Sequence, residues 1–440
     1  MADRRRMSLG ASIRGLGYHT SAWRHPNVLP GASESLSHFT EAARIAAAAK
    51  FDMVFFADGL AVRGNDRPAG ALSHSHENVE LEPTTLLAAL AVQTRHIGLV
   101  ATASTSYNEP YHVARTYASI DHISGGRAGW NAVTSWSEQE ALNFSREAHY
   151  DRETRYERAD EFIEVVRKLW ASWEPDAFMH DRKTGRFYDP EKLHAADHRG
   201  HFFRVRGPLT SSHTPQGQPV IFQAGDSERG IALAARHAEA VYTIPQTLED
   251  CIRHRKAMDT AAARFGRAPG SVRILPGVQI VTGRTEAEVA EKLMLYDEIA
   301  DPVIAMARAW SEYGDLSGYD LDAPVPADLQ SSDRVSAMRH LGERAKAEGW
   351  QLRRLLREYG AGSLRVLAGT PDKIAAEMQE WFGSGACDGF NILPQHLPGG
   401  LADVTELVVP ILQERGLFRR EYEGGTLREH LGLPAAAAVG

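Results

Sequence analysis

Two stretches of this chain set out side chains that could do chemistry. In residues 220 to 238, VIFQAGDSERGIALAARHA, a strand-like apolar run passes through Gly225, Asp226 and Ser227 into alternating Ala and charge at helical spacing. A strand ending in Gly-x-Ser at a helix start aims free backbone N–H groups and a hydroxyl at one point, which suits a phosphate. Ser227 serves equally well as a plain helix N-cap. In residues 17 to 26, GYHTSAWRHP, the side chains of Tyr18, His19, Trp23 and His25 can donate hydrogen bonds or exchange protons. Other polar residues close apolar runs in the same way. Asp58 ends FFADG, Thr102 and Ser104 end VATAST, Asn131, Thr134 and Ser135 end WNAVTS, and Gln223 with Ser227 ends FQAGDS. Each alone reads as a turn or cap residue, but four strand ends finishing in hydrogen-bonding side chains point to one shared ligand pocket. The HSHE stretch, His74 to Glu77, is not read as a metal site, because it lies in a Gly/Pro-rich segment with no third ligand at recognisable spacing. Aromatic residues near these runs, Phe55, Trp130 and Trp136, read as core or as the wall of a ring-binding slot.

The elements that must position these residues alternate between short β-rich runs and longer helical patterns. Strands are expected at 51 to 59, 96 to 105, 127 to 135, 219 to 225, 238 to 244, 272 to 281 and 387 to 394, and MSLGASIRGLGYH near the start makes eight. Helices are expected at 35 to 50, 84 to 94, 152 to 173, 285 to 298 and 370 to 383. Thr285 with Glu288 forms a capping-box pattern, and Pro371 after Thr370 stands at a first helical position. Eight strands each followed by a helix close most naturally into an α/β (β/α)8 TIM barrel, with a doubly wound open sheet as the fallback. Connections at about 59–83, 174–218 and 299–362 exceed ordinary loop length and are expected as insertions over the C-terminal face of the barrel, within a single domain spanning 1–440. The final LPAAAAVG reads as a frayed tail.

Composition narrows the function classes. With 440 residues, 43% hydrophobic, a sizeable core is expected, and a net charge of −8 argues against a general nucleic-acid or anionic-membrane binder. Cys251 and Cys387 are the only cysteines, too few for a disulfide framework or a cysteine zinc site. The basic start MADRRRMSLG is followed by no apolar segment, and no window is apolar enough for a membrane span, so the expected setting is the cytoplasm.

The strings FDMVFFADGL, LEPTTLLAALA, NEPYHVARTYASIDHISGGRAGWNAVTS, TRYERADEFIEVVRKLW, FQAGDSERG and HLPGGLADVTELVVPILQERG resemble the bacterial-luciferase-like flavin monooxygenases. Within them the chain is similar to the branch holding nitrilotriacetate, EDTA and dibenzothiophene-sulfone monooxygenases. That resemblance implies a (β/α)8 subunit, a homodimer or homotetramer, that takes reduced FMN from a separate NAD(P)H-dependent flavin reductase and uses it with O2 on a small organic substrate. By the same matching, Gly225, Asp226 and Ser227 form the FMN phosphate loop, Ala57 and Asp58 lie against the ring, and Thr102 or Ser104 lies beside it. Asn131 and Ser135 lie near the ring or ribityl chain, and Tyr156 is a phosphate-side tyrosine. Where the family commonly shows a histidine shortly before that tyrosine, this chain has Arg152; either Arg152 or His149 takes the role. Tyr18 and His19 are the catalytic candidates. Two other readings stay open: a deazaflavin-dependent oxidoreductase on the same barrel, and a flavin carrier without turnover.

Overall fold

A computed structural model describes residues 5–62, 66–135, 137–330, 336–360 and 365–436. Trp136, the first four residues and the last four of the expected tail lie outside them. Eight parallel strands close into a barrel: β1 (Ser8–Ile13), β2 (Met53–Phe56), β3 (Gly98–Ser104), β4 (Ala128–Val133), β5 (Val220–Ala224), β6 (Ala240–Thr243), β7 (Arg273–Thr282) and β8 (Gly389–Ile392). Each pairs with the next, and β8 returns to β1 through Ser8 opposite Gly389. The runs are nearly all buried, as parallel strands covered on both faces require, which is why they read in the sequence as continuous apolar stretches.

An additional strand, Arg365–Gly369, was not among the expected eight. It pairs only with the outer half of β7, Val278 to Thr282, whose inner half serves β6 and β8, so it sits outside the closed barrel. Helices α1 (Leu36–Ala48), α2 (Pro83–Gln93), α3 (Pro110–Ser124), α4 (Arg152–Trp170), α5 (Glu228–His237), α6 (Leu248–Ala263), α7 (Glu286–Ile299) and α8 (Pro371–Gly383) follow the strands, and the helical segment 399–414 follows β8. Thr285 caps α7 by accepting the Glu288 N–H at 3.2 Å, but the Glu288 carboxylate turns to the Arg284 N–H at 2.8 Å instead of completing the expected box. Among the described residues no helix is long and apolar enough to cross a membrane, and both cysteines are buried and free.

The barrel interior is apolar at its lower end. Met53, Phe55, Val100, Val220, Phe222, Ala240 and Leu275 form one cluster there with Leu427 and Leu431. Those two leucines come from the C-terminal segment, which passes beneath the strand starts and closes the floor. Gly98 admits the plug: a Cβ at this position would lie 2.4 Å from Leu427 Cδ1.

The three long connections go to different places. Segment 59–83 leaves the C-terminal end of β2 and segment 299–362 leaves the end of α7, and the two meet over the β1 side of the barrel mouth. There Ala71 packs on Ile304 and Ala307, Arg67 lies over the Trp310 ring, and His74 Nδ1 is 2.7 Å from Asp301 Oδ2. The later segment also builds a small core of its own around Leu316, Trp350, Leu352 and Leu355. Segment 174–218, expected over the mouth, leaves the end of α4 and leads to the start of β5. That connection belongs to the opposite end of the barrel, and it packs along the α3–α4 flank through Trp173 Nε1 to the Leu209 carbonyl (2.8 Å) and His198 Nε2 to Glu161 Oε1 (3.0 Å). It carries two short antiparallel ribbons, Phe178–Asp181 with Arg186–Tyr188 and His198–Arg199 with Arg204–Val205.

Candidate active site

The C-terminal ends of the strands open on a cavity of about 440 Å³. Its inner wall comes from residues that face the lumen: Ser12 on β1, Phe55 on β2 and Ala57 just beyond it, Thr102 on β3, Asn131 and Val133 on β4, Ala224 on β5 and Tyr242 on β6. Tyr242 reaches across toward β7, where a Cβ on Gly277 would lie 2.5 Å from its hydroxyl. Only a glycine there leaves the phenol its space.

Polar contacts fix the wall. Thr102 Oγ1 donates to the Phe56 carbonyl at 2.9 Å and accepts from Asn131 Nδ2 at 2.8 Å, which turns the Asn131 amide oxygen inward with no protein partner. Ser104 lies one step behind this wall, its hydroxyl 2.8 Å from that of Ser135. Ser135 adopts φ +55°, a left-handed conformation uncommon outside glycine. Arg155 holds that backbone, its guanidinium donating to the Ser135 carbonyl, while Ser104 holds the Ser135 hydroxyl. Asp58 and Thr134 also line the cavity. Gln223 does not: its neighbours Phe222 and Ala224 take the lumen side, and its amide donates to the Ala224 carbonyl at 2.7 Å.

One end of the cavity is cationic. Arg152, Arg155 and Tyr156 stand on the first turns of α4, which begins at the N-cap Asp151. Arg152 is exposed at the rim, whereas Arg155 is partly buried, its pKa lowered by desolvation, with its Nε unpaired. The β5–α5 turn abuts the same end. Ser227 caps α5 by accepting the Gly230 N–H at 3.1 Å, and its hydroxyl lies 3.3 Å from Tyr156 Oη. A Cβ on Gly225 would come within 3.1 Å of Gln223 Nε2 and 3.7 Å of Tyr156 Oη, so the turn is closed around these groups. The Asp226 carboxylate faces away, accepting from Thr243 Oγ1 at 2.5 Å and lying 3.4 Å from His254 Nδ1.

Tyr18 lines the opposite, β1 side of the cavity, but His19, next in sequence, does not. The His19 ring stacks on Tyr296 at 5.5 Å, and its Nδ1 accepts the Ser21 N–H at 3.1 Å. Burial above all, with Arg308, His76 and His25 nearby, lowers its pKa to about 4. His25 stacks on His396 at 3.7 Å, and Trp23 donates to the His74 carbonyl at 3.1 Å. His149 faces the Tyr107 hydroxyl and lines a neighbouring depression with Glu138 and Asp151. Of the two alternatives to the family histidine, the rim of the cavity carries Arg152. Trp130 is in the outer core against Phe162 and Trp170, away from the cavity. Within HSHE, Glu77 is tied to Arg14 and Arg308, and His76 Nδ1 is 3.2 Å from the Thr20 carbonyl. Arg155, Ser12 and Tyr242 were not among the expected site residues. Helical spacing was the available signal for Arg155, since positions three apart share a face with Arg152.

Residues 16–387 match the luciferase-like monooxygenase family. The chain is 46% identical to N-acetyl-S-(2-succino)cysteine monooxygenase of Bacillus subtilis (strain 168), with 98% of each chain covered. It is 43% identical to nitrilotriacetate monooxygenase component A of Aminobacter aminovorans, again over 98% of each. Among solved structures, riboflavin lyase with modified FMN and substrate riboflavin superposes with a TM-score of 0.85 at 32% identity, covering 98% of this chain and 97% of the other.

Proposed function

Because the chain belongs to the luciferase-like monooxygenase family, we propose that it is the oxygenase component of a two-component system that takes reduced FMN from a separate NAD(P)H-dependent flavin reductase and oxidises a small organic substrate with O2. The substrate class is a sulfone, another organosulfur compound or an aminopolycarboxylate, in line with the names of the two relatives. The working form is a cytoplasmic homodimer or homotetramer.

The observation that carries the FMN reading is the polarity of the cavity. Two guanidiniums, the Tyr156 hydroxyl and the Ser227 turn stand at one end; the inward Asn131 amide oxygen and an apolar wall of Phe55, Ala57 and Val133 occupy the rest. A dianionic phosphate, a polar ring edge and a flat aromatic system need those three surfaces. Under this reading Arg152, Arg155, Tyr156, Ser227 and the backbone of Gly225 and Asp226 hold the phosphate. Ala57, Asp58, Thr102 and Asn131 hold the ring, with Ser104 and Ser135 supporting them. When bound, reduced FMN supplies the electrons for splitting O2. The protein's part is to orient, to exclude water through the segments over the mouth, and to place a hydrogen-bond donor near the reacting oxygen.

The test is a reconstituted assay with a generic flavin reductase, NADH, FMN and ¹⁸O2 over a panel of sulfones, thioethers and aminopolycarboxylates. One labelled atom is expected in the product of a true substrate. Tight FMN binding with no labelled product from any panel compound would favour the carrier reading. The phosphate end is checked separately: Ser227→Ala should weaken FMN by on the order of 1 to 3 kcal/mol and leave riboflavin, which lacks the phosphate, nearly unaffected. Equal weakening of both ligands would return Ser227 to a plain cap.

A further inference from the structure

The β1 side of the cavity carries a hydroxyl pair. Ser12 is 2% exposed, and its Oγ lies 2.5 Å from Tyr18 Oη. The loop bearing Tyr18 is fixed through its backbone: the Tyr18 N–H donates to the Pro394 carbonyl and the His19 N–H to the Gln395 carbonyl, both at 2.9 Å. Gly17, at φ +133°, lets the chain pass so close that a Cβ there would sit 2.5 Å from the Gln395 carbonyl oxygen. The backbone therefore sets where the phenol enters, and Ser12 sets where its hydroxyl points. Two residues beyond Ser12, Arg14 is buried and held by Glu77 at 2.8 Å and Glu80 at 3.0 Å.

Resting on the monooxygenase reading, we propose that Ser12 is a positioning residue that aims the Tyr18 hydroxyl as the proton donor to the oxygen atom that leaves as water. Over one turnover, substrate, O2 and reduced FMN become oxygenated substrate, oxidised FMN and water. The O–O bond breaks, one atom bonds to the substrate, and the other departs with the two electrons and two protons that entered with the reduced flavin. Tyr18 passes one proton to the departing atom and regains one from those two, so its own state is unchanged. His19 is excluded from this role by its place outside the cavity and its engagement with Ser21 and Tyr296.

The experiment compares Ser12→Ala, Tyr18→Phe, the double variant and Ser12→Thr, using a substrate that wild type oxygenates. Ser12→Ala should lower kcat about tenfold while KM and the FMN Kd stay within about twofold, and more of the O2 consumed should appear as hydrogen peroxide. Tyr18→Phe should lose more, the double variant should be no slower than Tyr18→Phe, and Ser12→Thr, which keeps the hydroxyl, should recover most of the rate. Wild-type kcat in Ser12→Ala, multiplicative losses in the double variant, or a Ser12→Thr as slow as Ser12→Ala would each overturn the proposal. FMN titration reports folding of every variant; should Ser12→Ala fail it, Ser12→Cys keeps the volume with a weak donor and carries the same expectation. Failure of wild type to oxygenate any substrate would instead sink the monooxygenase reading beneath.

Discussion

His19 and His396 have the wrong protonation behaviour for acid–base work near neutrality. Burial dominates at both, followed by neighbouring cations and rings, and lowers the pKa to about 4 for His19 and about 3 for His396. Both therefore sit neutral near pH 7, and His396 Nδ1 shares a 2.7 Å hydrogen bond with Tyr296 Oη. The sign of the consequence is fixed. The unfolded chain binds protons on these rings near pH 6.5 and the folded chain does not, so their contribution to stability is complete above about pH 6.5 and falls as pH drops toward 4, by about 1.4 kcal/mol per unit for each ring. Thermal unfolding between pH 7.5 and pH 4.5 should show this decline, and His396→Asn, which keeps a hydrogen-bonding group but cannot titrate, should flatten it. Identical slopes in both proteins would assign the decline to other groups. The sequence placed Tyr18 and His19 side by side as catalytic candidates, because adjacency in a loop does not reveal which side chain faces a cavity. Ser12 was illegible for a different reason: it lies within a strand, where only the barrel's inside–outside alternation gives it a site to face.

At the scale of elements, the eight barrel strands were legible because burial on both faces leaves apolar runs that few other structures tolerate. Arg365–Gly369 is exposed along part of its length and pairs on one side only, so it carries no comparable signal. The mechanical role of the C-terminal segment was not readable in the sequence. Thr426 and Glu429 form a full capping box that starts a single turn, Leu427–His430, and that turn delivers the fully buried Leu427 into the barrel floor. Leu427 fills the space over Gly98 and shares the space over Gly129 with Val100 and Phe222. Leu427→Ala should open a cavity there at a cost of about 2 to 5 kcal/mol. The floor lies at the opposite end of the barrel from the cavity, so FMN affinity should hold within about twofold. Urea unfolding and FMN titration of the same preparation separate the two quantities; a large loss of FMN affinity would mean that floor and mouth move together.

For the whole molecule, the governing question is where the electrons come from. The eight strands are all used in one closed barrel, and the cavity at its mouth, about 440 Å³, has a single cationic end suited to one phosphate. The sequence holds no Gly-x-Gly-x-x-Gly after a strand with an acidic residue about 20 positions on, the pattern that seats a dinucleotide pyrophosphate at a helix N-terminus. The chain should therefore depend on a second protein for reduced flavin, as the name "component A" of the nitrilotriacetate relative suggests for that enzyme. Purified chain mixed with NADH and free FMN should consume NADH at no more than the background rate, and consumption coupled to substrate loss should begin only when a flavin reductase is added. Following absorbance at 340 nm before and after that addition makes the comparison in one cuvette. Steady NADH consumption by the chain alone would overturn the two-component reading while leaving the barrel and its flavin cavity standing, because hydride delivery would then require a nicotinamide site that the strand-end polar residues do not provide.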